Sequence, residues 1–295
     1  MTLKIRNILD GWNDCKEIII NRAKNPELPI LSMPQLNKKL WGLRKGRLTV
    51  IGARTSHGKS AFVSQLACDL ASQKKSILFL SLEMCQEEMQ ERVLCYSQMI
   101  DNYHLLTGHH DSYKHKIEEH PDNISKWNLS FSDCIGKTWK EIDAFLSGIK
   151  SKPDIIILDY VQAIKAEGKN DKENLDEYIR HFREMAIRHN FAGILCSQVN
   201  RANQDSKDKD KDPKLHQLKG TGVLEEHADV VILLYWKNKQ TKEYQLEVAK
   251  NRNGRTGFIK LTYTPQFYLF KECEEEVKAV DNFKQQEIET PRFND

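Results

Sequence analysis

The stretch of sequence from Arg47 to Ala67 constrains the fold of this chain more than any other. It opens with an apolar, β-prone run, Leu48–Ile51, continues through the loop Gly52–Gly58 and then reaches Lys59 and Ser60. Beyond Ser60, apolar residues recur at helical spacing; they are Phe62, Val63, Leu66, Ala67 and Leu70. A strand, a loop, Gly-Lys-Ser and a helix, in that order, form the sequence context of a phosphate-binding P-loop.

This context predicts how a phosphate group would be bound. Backbone N–H groups of the loop and the start of the following helix would point at the anion. Lys59 would reach the β- and γ-phosphates, and the Ser60 hydroxyl would ligate Mg²⁺. The predicted phosphate-binding residues are Ala53, Arg54, Ser56, His57, Gly58, Lys59, Ser60 and Ala61.

The loop departs from the usual P-loop pattern at one position. The pattern asks for glycine, four residues and then Gly-Lys-Ser. Here Ala53 stands at the first glycine position, and Gly52 lies one residue too early. Alanine is tolerated at that position if its φ stays negative. The alternative interpretation, a chance Gly-Lys-Ser in a surface turn, does not account for the strand before the tripeptide or the amphipathic helix after it.

Length and composition are those of a globular protein. The 295 residues suffice for one large α/β domain, or for one domain with appendages. The hydrophobic content of 39% and the charged content of 29% are ordinary, and a net charge of +3 is too small to indicate nucleic-acid binding by itself. The seven cysteines include no C-x-x-C pair, which disfavours a disulfide framework or a zinc site. With no signal peptide and no bilayer-spanning apolar run, we expect a cytoplasmic location and no membrane partner.

Several further runs predict the strands of a sheet. Four apolar runs predict buried strands: Ser76–Leu82, Asp154–Asp159, Phe191–Gln198 and Val230–Tyr235. Two alternating runs, Tyr244–Ala249 and Phe258–Tyr263, flank an Asn-Gly dipeptide and predict a β-hairpin. Helical patterns lie between the buried strands, and one of them runs from Leu175 to His189. The sequence therefore predicts an α/β fold with a P-loop core, a central, mostly parallel sheet and a C-terminal β-hairpin.

Acidic and polar residues stand where these strands end. Asp159 follows four apolar residues and would hold the Mg²⁺ shell opposite Ser60. Glu83 follows a strand expected to lie one strand from the P-loop, where a carboxylate can orient an attacking water. An equal alternative is that Glu83 simply opens the next helix. Ser197 and Gln198 would face the γ-phosphate.

The chain divides into a core and two appendages. Residues 1–29 predict an amphipathic helix, residues 30–270 the P-loop domain, and residues 271–295 a charged tail. The apolar residues of the helix are Ile5, Ile8, Leu9, Trp12, Cys15, Ile18 and Ile19. This apolar face must be buried, either on its own domain or on a neighbouring subunit. Residues 30–48 are expected to form a loop that leads into the first strand.

Two cationic segments could meet phosphate groups. Lys250 and Arg252 stand at the tip of the predicted hairpin, two residues apart and therefore on one face of the ribbon. They could reach a nucleotide in their own subunit, or in a partner as an arginine finger. The segment Lys219–Gly222 follows a charged stretch without apolar residues. It could offer free backbone N–H groups and a lysine to phosphates, or form a plain solvated turn.

Taken in order, these motifs resemble the motor domain of the DnaB family of hexameric replicative helicases, from about Ile30 to Phe270. The resembling segments are Gly52–Ser60, Ser81–Met84, Leu158–Gln162, Ser197–Arg201, Leu224–Asp229 and Lys250–Gly257. A P-loop alone is shared by many ATPases, whereas the ordered set is far more specific. The resemblance implies a RecA-like fold with an N-terminal linker helix, and ATP and Mg²⁺ as ligands.

The resemblance also implies roles at matching positions. Glu83 would be the catalytic base, Asp159 the acid that holds Mg²⁺, and Gln198 the sensor of the γ-phosphate. Lys250 and Arg252 would act in trans on the ATP of the adjacent subunit.

A further implied role concerns DNA. Lys219, Gly220, Thr221 and Gly222 would lie on the DNA-binding loop that lines the central channel of a ring. The family usually has Arg-Glu-Ser-Gly at these positions, and Pro where this chain has Arg255.

The implied function is that of an ATP-dependent DNA helicase. It would be a homo-hexamer moving 5′→3′ along single-stranded DNA, with a primase, a helicase loader or other replisome proteins as further partners. Family members usually carry an N-terminal collar or primase domain, so this chain would be a minimal phage- or plasmid-type helicase or a fragment. A RecA-like recombinase or a regulatory DNA-dependent ATPase stays open as the alternative. The complete set of Lys59, Glu83, Asp159 and Arg252 argues against a non-catalytic assembly factor.

Overall fold

The computed structural model describes residues 12–24, 27–108, 113–118, 124–165, 171–199, 213, 218 and 221–274. One β-sheet runs through this part of the chain, and hydrophobic clusters with packed helices cover both of its faces. None of the helices in these ranges has the length and the apolar character that are needed to cross a lipid bilayer.

The P-loop strand lies inside the sheet. The strands are β1 (Leu48–Ala53), β2 (Ser76–Ser81), β3 (Asn128–Asp133), β4 (Ile155–Asp159), β5 (Ala192–Gln198), β6 (Val230–Asn238), β7 (Glu243–Asn251), β8 (Gly257–Thr264) and β9 (Leu269–Glu272). Their order is β3-β2-β4-β5-β1-β6-β7-β8-β9. From β3 through β6 the strands are parallel, and β7, β8 and β9 each run antiparallel to the strand before. This confirms the predicted mostly parallel sheet with C-terminal hairpin strands.

Helices of very different length pack around this sheet. They are α1 (Trp12–Lys24), α2 (Pro34–Leu40), α3 (Lys59–Ser72), α4 (Gln86–Gln98), α5 (Asn102–Thr107), α6 (Lys114–Glu118), α7 (Trp139–Gly148), α8 (Asp171–His189) and α9 (Thr221–His227). The P-loop helix α3 covers one face through Phe62 and Leu66. The opposite face is covered by α7 and α8, through residues such as Ile142, Ile179 and Phe182.

The position of β1 explains its continuous apolar run. It pairs in parallel with β5 on one side and with β6 on the other, and all of its residues are buried. A parallel strand that is covered on both faces has no solvent-facing side, so its sequence does not alternate. Its carboxyl end, Ala53, therefore opens into the P-loop from the interior of the sheet.

Two local predictions are wrong because the elements are short or polar. Residues 30–48, expected to be a loop, contain α2, which begins at Pro34 and buries Leu36 and Leu40 one turn apart. Proline suits the first helical position, but so short a helix shows no recognisable period. Helix α8 begins at Asp171 rather than at Leu175, since its first residues are polar.

Three further differences concern the sheet. Strand β2 is separated from β1 by β4 and β5, so it is not one strand away. The hairpin turn spans residues 252–256 and is longer than a two-residue Asn-Gly turn. The boundary expected at residue 270 falls inside β9, whose Glu272 carboxylate accepts hydrogen bonds from the backbone N–H groups of Gln35 and Leu36 at 2.7 and 2.8 Å. These bonds cap the first turn of α2.

The described part of α1 leaves its apolar residues in solvent. Trp12 and Ile19 are both 57% exposed, and Cys15 and Ile18 are exposed as well. This part of the helix is therefore not packed on its own domain. The predicted apolar residues before Trp12, and residues 275–295 of the predicted tail, lie outside the described ranges.

Candidate nucleotide-binding site

The P-loop connects β1 to α3. Ser56 and Gly58 hold positive φ angles of 62° and 79°. A Cβ atom at Gly58 would lie 2.9 Å from the ring of Phe270, so both the backbone and its surroundings require glycine there. Ala53 ends β1 and is not among the described residues with positive φ. Alanine therefore fits the position where the usual pattern has glycine.

An open cavity of about 500 Å³ lies at the carboxyl end of β1. It brings together most of the predicted site residues, which are Ala53, Arg54, Ser56, Gly58, Lys59, Ser60, Ala61, Glu83 and Gln198. The remainder of its lining consists of Thr55, Met84, Glu88, Arg92, Tyr263 and Tyr268. This size lies in the range of small-molecule sites.

Lys59 and Asp159 form a buried ion pair beside this cavity. Lys59 Nζ lies 2.7 Å from Asp159 Oδ1, and the two side chains are 9% and 4% exposed. Burial disfavours the charged form of Lys59, but the Asp159 carboxylate outweighs it and raises the pKa of the lysine above its usual value. Lys59 Nζ also lies 4.4 Å from the centroid of the Tyr160 ring, a favourable position for a cation. The lysine therefore carries its charge at neutral pH.

Glu83 stands in the cavity on the connection between β2 and α4. Helix α4 begins at Gln86, and its first-turn acids are Glu87 and Glu88. The alternative that Glu83 opens this helix is therefore wrong. Its own side chain is exposed, and the connection is held by a hydrogen bond from the backbone N–H of Met84 to Ser81 Oγ at 3.0 Å. A carboxylate in this position is open to solvent and to a bound ligand.

Gln198 ends β5 at the same edge of the cavity. Its backbone N–H donates to Gln162 Oε1 at 3.3 Å, and Gln162 Nε2 donates to Ser197 Oγ at 2.7 Å. Gln162 comes from the short turn that follows β4, so it ties the end of β5 to the strand that carries Asp159. No role was predicted for Gln162, although it lies in one of the resembling segments.

One wall of the cavity comes from β8 and from the turn before β9, which were not predicted to belong to the site. Tyr263 and Tyr268 line this wall together with Arg92 of α4. Arg92 Cζ lies 5.0 Å from the centroid of the Tyr268 ring, and Asn102 Nδ2 donates to the Tyr268 hydroxyl at 3.1 Å. Tyr263 stacks on Phe270 with ring centroids 4.1 Å apart. No local motif marks these residues, because only the pairing of β8 with β9 brings them to the P-loop.

His57 differs from the other predicted phosphate-binding residues, because its side chain does not line the cavity. It is 8% exposed, and its Nδ1 has no hydrogen-bond partner within the described part of the chain. The Tyr244 hydroxyl donates to the His57 carbonyl oxygen. Burial, together with the positive charges of Lys239 and Arg54, lowers the pKa of His57 to about 4. The imidazole is therefore neutral at pH 7 and offers no charge to a phosphate.

The hairpin cations lie near the amino-terminal ends of the parallel strands, whereas the cavity lies at their carboxyl ends. Asn251 pairs with Val230 at the start of β6, and Val230 pairs with Thr49 near the start of β1. Ala53 is four residues further along β1, about 13 Å at the usual rise of a strand. Arg252 follows Asn251 directly. Both predicted finger cations are therefore remote from the cavity of their own subunit.

Only half of the predicted DNA-binding segment is described. Lys219 and Gly220 lie outside the described residues, whereas Thr221 and Gly222 begin α9. Gly222 is exposed, and a Cβ atom there would have no heavy atom within 4 Å. Packing within the described part of the subunit therefore does not require glycine at this position.

The fold and the cavity define the class of protein. A P-loop that leaves a central parallel strand, with its lysine paired to the acid of a second strand, is the phosphate site of a P-loop NTPase with a RecA-like sheet. The sequence narrows this class further. Residues 31–272 match the family described as DnaB-like helicase C terminal domain, and the chain belongs to this family.

Curated replicative helicases are similar to this chain over most of its length. The replicative DNA helicase DnaC of Bacillus subtilis (strain 168) is 27% identical over 283 residues, which cover 92% of this chain and 62% of the relative. The replicative DNA helicase DnaB of Rickettsia prowazekii (strain Madrid E) is 28% identical over 299 residues, which cover 86% and 61%. The chain thus spans about three fifths of the length of these curated relatives.

Two solved structures share the fold. One is an ATPase domain, which superposes with a TM-score of 0.80 and is matched over its whole length by 92% of this chain. The other, a DnaB-like replicative helicase described with its interactions with primase, superposes with a TM-score of 0.77 over 92% of this chain and 68% of that one. Both are 22% identical to this chain. The likeness confirms the predicted fold class.

Proposed function

We propose that this chain is the motor of a ring-shaped replicative DNA helicase. ATP hydrolysis at subunit interfaces would drive the ring 5′→3′ along single-stranded DNA and separate the duplex. Family membership supports this function over a recombinase or a regulatory ATPase. The observation that carries the proposal is the cavity, where the P-loop, Glu83 and Gln198 meet beside the Lys59–Asp159 pair, while the hairpin cations lie elsewhere.

The oxygen donors beside the P-loop fit a magnesium nucleotide. Mg²⁺ prefers hard oxygen ligands, and the Ser60 hydroxyl and the Asp159 carboxylate would hold it here. When bound, the ion would neutralise charge that develops on the phosphates during phosphoryl transfer. Lys59 is protonated and held next to this position, so the β- and γ-phosphates would compete with Asp159 for its ammonium group.

Glu83 and Gln198 would act on the γ-phosphate side of the site. Glu83 would orient a water molecule for in-line attack and accept its proton. Its position outside α4 supports this role, because its carboxylate is free of the helix start. Gln198 would contact the γ-phosphate, and Gln162 would hold its backbone in place.

The aromatic wall of the cavity would receive the adenine ring. Tyr263 and Tyr268 offer flat apolar surfaces, and Arg92 lies against the Tyr268 ring. Stacking between aromatic rings and bases suits every nucleobase, so this wall would add affinity without selecting strongly for adenine.

Distance supports a trans role for the hairpin. Lys250 and Arg252 lie near the amino-terminal ends of the parallel strands, away from Lys59, so they would act on the ATP of the neighbouring subunit. An arginine finger contributes about 10³-fold or more to phosphoryl transfer. The segment Lys219–Gly222 would contact the DNA backbone through its lysine and its backbone N–H groups, which is binding without sequence preference.

Helix α1 would join neighbouring subunits. Its apolar residues are exposed, and the domain carries an apolar groove between α4, α6 and the edge strand β3. The groove is lined by Val93, Leu94, Ile117, Ile124, Trp127, Leu129 and Phe131, with Glu87, Gln90 and Glu91 among its polar residues. We assign this groove to α1 of the next subunit, since Lys16 on the helix complements the acidic rim. Six such contacts would close a homo-hexamer.

The replicative role implies other partners. The structure of the DnaB-like helicase is described with primase, which supports a primase as a partner here. A helicase loader and other replisome proteins would be further partners, and family membership alone supports them.

Strand displacement tests the proposed function directly. The full chain, with ATP and Mg²⁺, should release the labelled strand of a fork that carries a 5′ single-stranded tail and leave a 3′-tailed duplex intact. Lys59→Ala is the matched inactive control. Electron microscopy with an ATP analogue and single-stranded DNA should reveal closed rings. Open filaments without strand displacement would favour the recombinase or regulatory ATPase instead.

A further inference from the structure

Asp229 connects the proposed arginine finger to the P-loop strand. It directly precedes β6 and its side chain is 3% exposed. Asp229 Oδ2 accepts a hydrogen bond from the Leu48 backbone N–H at 3.0 Å, and the Asp229 backbone N–H donates to the Leu48 carbonyl at 2.9 Å. Two bonds to the same residue fix this carboxylate on the first residue of β1.

Three arginines share the other oxygen of this carboxylate. Asp229 Oδ1 lies 3.0 Å from Arg47 Nη1, 3.5 Å from Arg183 Nη2 and 3.7 Å from Arg252 Nη1. One negative charge cannot neutralise three guanidinium groups. Arg252 makes the longest of the three contacts and is 41% exposed. Asp229 therefore orients Arg252 but leaves most of the positive charge of the Arg252 guanidinium available to an anion outside the subunit.

The second contact of Arg252 is with the end of α9. Arg252 Nη2 donates to the Glu226 carbonyl oxygen at 2.7 Å, and the Arg252 backbone N–H donates to the Asp229 carbonyl at 2.9 Å. The last carbonyls of a helix lack partners within the helix and form the negative end of its dipole. The guanidinium thus caps α9 at its C-terminal turn. The same helix begins at Thr221, inside the proposed DNA-binding segment.

We propose that Asp229 and the last turn of α9 position Arg252 for the ATP of the neighbouring subunit, and that DNA contact at the start of α9 reaches the finger through this helix. Helix α9 spans about 10 Å and links the proposed DNA contact at Thr221 to the Glu226 carbonyl that Arg252 contacts. A shift of this helix moves the Glu226 carbonyl against the fixed Asp229 carboxylate, and Arg252 follows. Asp229 is thus a positioning residue. The inference rests on the proposed trans role of Arg252.

The substitution Asp229→Asn tests the positioning role. It keeps an oxygen for the Leu48 N–H but removes the charge that orients Arg252. With single-stranded DNA present, we expect kcat for ATP to fall about 10- to 100-fold, since misplacing a reacting group by about 1 Å can cost about 10²-fold. KM for ATP should not change. The control Arg183→Gln removes another partner of Asp229 without touching Arg252, and it should keep the wild-type kcat.

A double variant separates positioning from general damage. If Asp229 acts through Arg252, Asp229→Asn should cost nothing further in an Arg252→Ala background, because coupled residues are not additive. A purely structural role would lower kcat by the same factor in both backgrounds. That result, or a wild-type kcat for Asp229→Asn, would overturn the inference.

A second pair of variants avoids the buried position, in case Asp229→Asn melts below the assay temperature. The Glu226 side chain is exposed, so Glu226→Gly and Glu226→Ala both remove it, but only glycine loosens the helical turn. DNA-stimulated kcat should be about fivefold lower in Glu226→Gly than in Glu226→Ala. Equal values would count against transmission through α9. If Arg252→Ala itself hydrolyses ATP at the wild-type rate, the proposed finger role fails before this inference is tested.

Discussion

Mixing two inactive variants tests whether ATP is hydrolysed between subunits. Lys59→Ala removes the P-loop cation and Arg252→Ala removes the hairpin cation, so each should be inactive alone. In a ring, the P-loop of one subunit would face the hairpin of the next in a head-to-tail interface. A mixed ring would then contain interfaces in which an intact P-loop, from Arg252→Ala, faces an intact hairpin, from Lys59→Ala.

The expected recovery follows from geometry and counting. Arg252 lies at least about 13 Å along the sheet from Ala53 of its own P-loop, so it cannot serve its own site. Random equimolar mixing leaves about one quarter of the interfaces with both cations. Because loss of a finger costs about 10³-fold, the mixture should exceed either parent by roughly 250-fold. Hydrolysis that must proceed in sequence around the ring would lower this gain.

The assay is steady-state ATP hydrolysis with single-stranded DNA. Energy transfer between labelled chains shows separately that the mixtures exchange subunits. Arg255→Ala, in the same turn as Arg252, is the matched control and should keep activity alone and in mixtures. Mixtures that demonstrably exchange subunits and stay as inactive as either parent would refute the trans assignment. An active Arg252→Ala chain would refute the finger role itself.

Four other outcomes are expected. Glu83→Gln should bind ATP as tightly as wild type, by nucleotide fluorescence, but lose turnover about 10²-fold or more, the contribution of a general base; wild-type turnover would exclude Glu83 as the base. Deleting residues 1–25, or replacing Trp127 by Asp, should convert hexamers to folded monomers in light scattering, and hexamers that persist would exclude the groove. The pKa of His57 is about 4 in the folded chain and about 6.5 in the unfolded chain, so the folded state is favoured while the imidazole is neutral. This contribution to the free energy of unfolding is complete above pH 6.5 and is lost as the pH falls towards 4. Urea unfolding should register up to about 3 kcal/mol of this loss, and His57→Asn should flatten it. Tyr268→Ala should raise KM for ATP several-fold and leave kcat unchanged, since one base stack contributes about 1–3 kcal/mol; an unchanged KM would exclude the aromatic wall.

The centre of the site could be predicted because its signals are local. Lys59, Ser60 and Asp159 each stand directly at the end of a buried strand or at the start of the next helix. Parallel strands that are buried on both faces produce continuous apolar runs, so the ends of these runs mark the edge where ligands bind. The same rule placed Glu83 and Gln198 at this edge, whereas the choice of Glu83 as the base came only from the family resemblance.

The remaining features depend on pairing between distant segments. Tyr263 and Tyr268 enter the cavity only because β9 pairs with β8, and β9 is too short to be recognised from its sequence. The orientation of His57 depends on how the P-loop packs against Tyr244. The separation of Arg252 from its own P-loop required the strand order, because spacing along the chain left both sites open.

The last strand of the domain has a consequence for synthesis on the ribosome. Gln65 of the P-loop helix exchanges two hydrogen bonds with the backbone of Phe270, at 2.9 and 2.8 Å, across 205 residues of chain. Phe270 also supplies the ring against which Gly58 packs. A nascent chain that has exposed only the P-loop therefore lacks both its flanking strands and this brace, and such long-range closures form late. We therefore expect the P-loop to reach its nucleotide-binding conformation only after the residues up to Phe270 have left the ribosome.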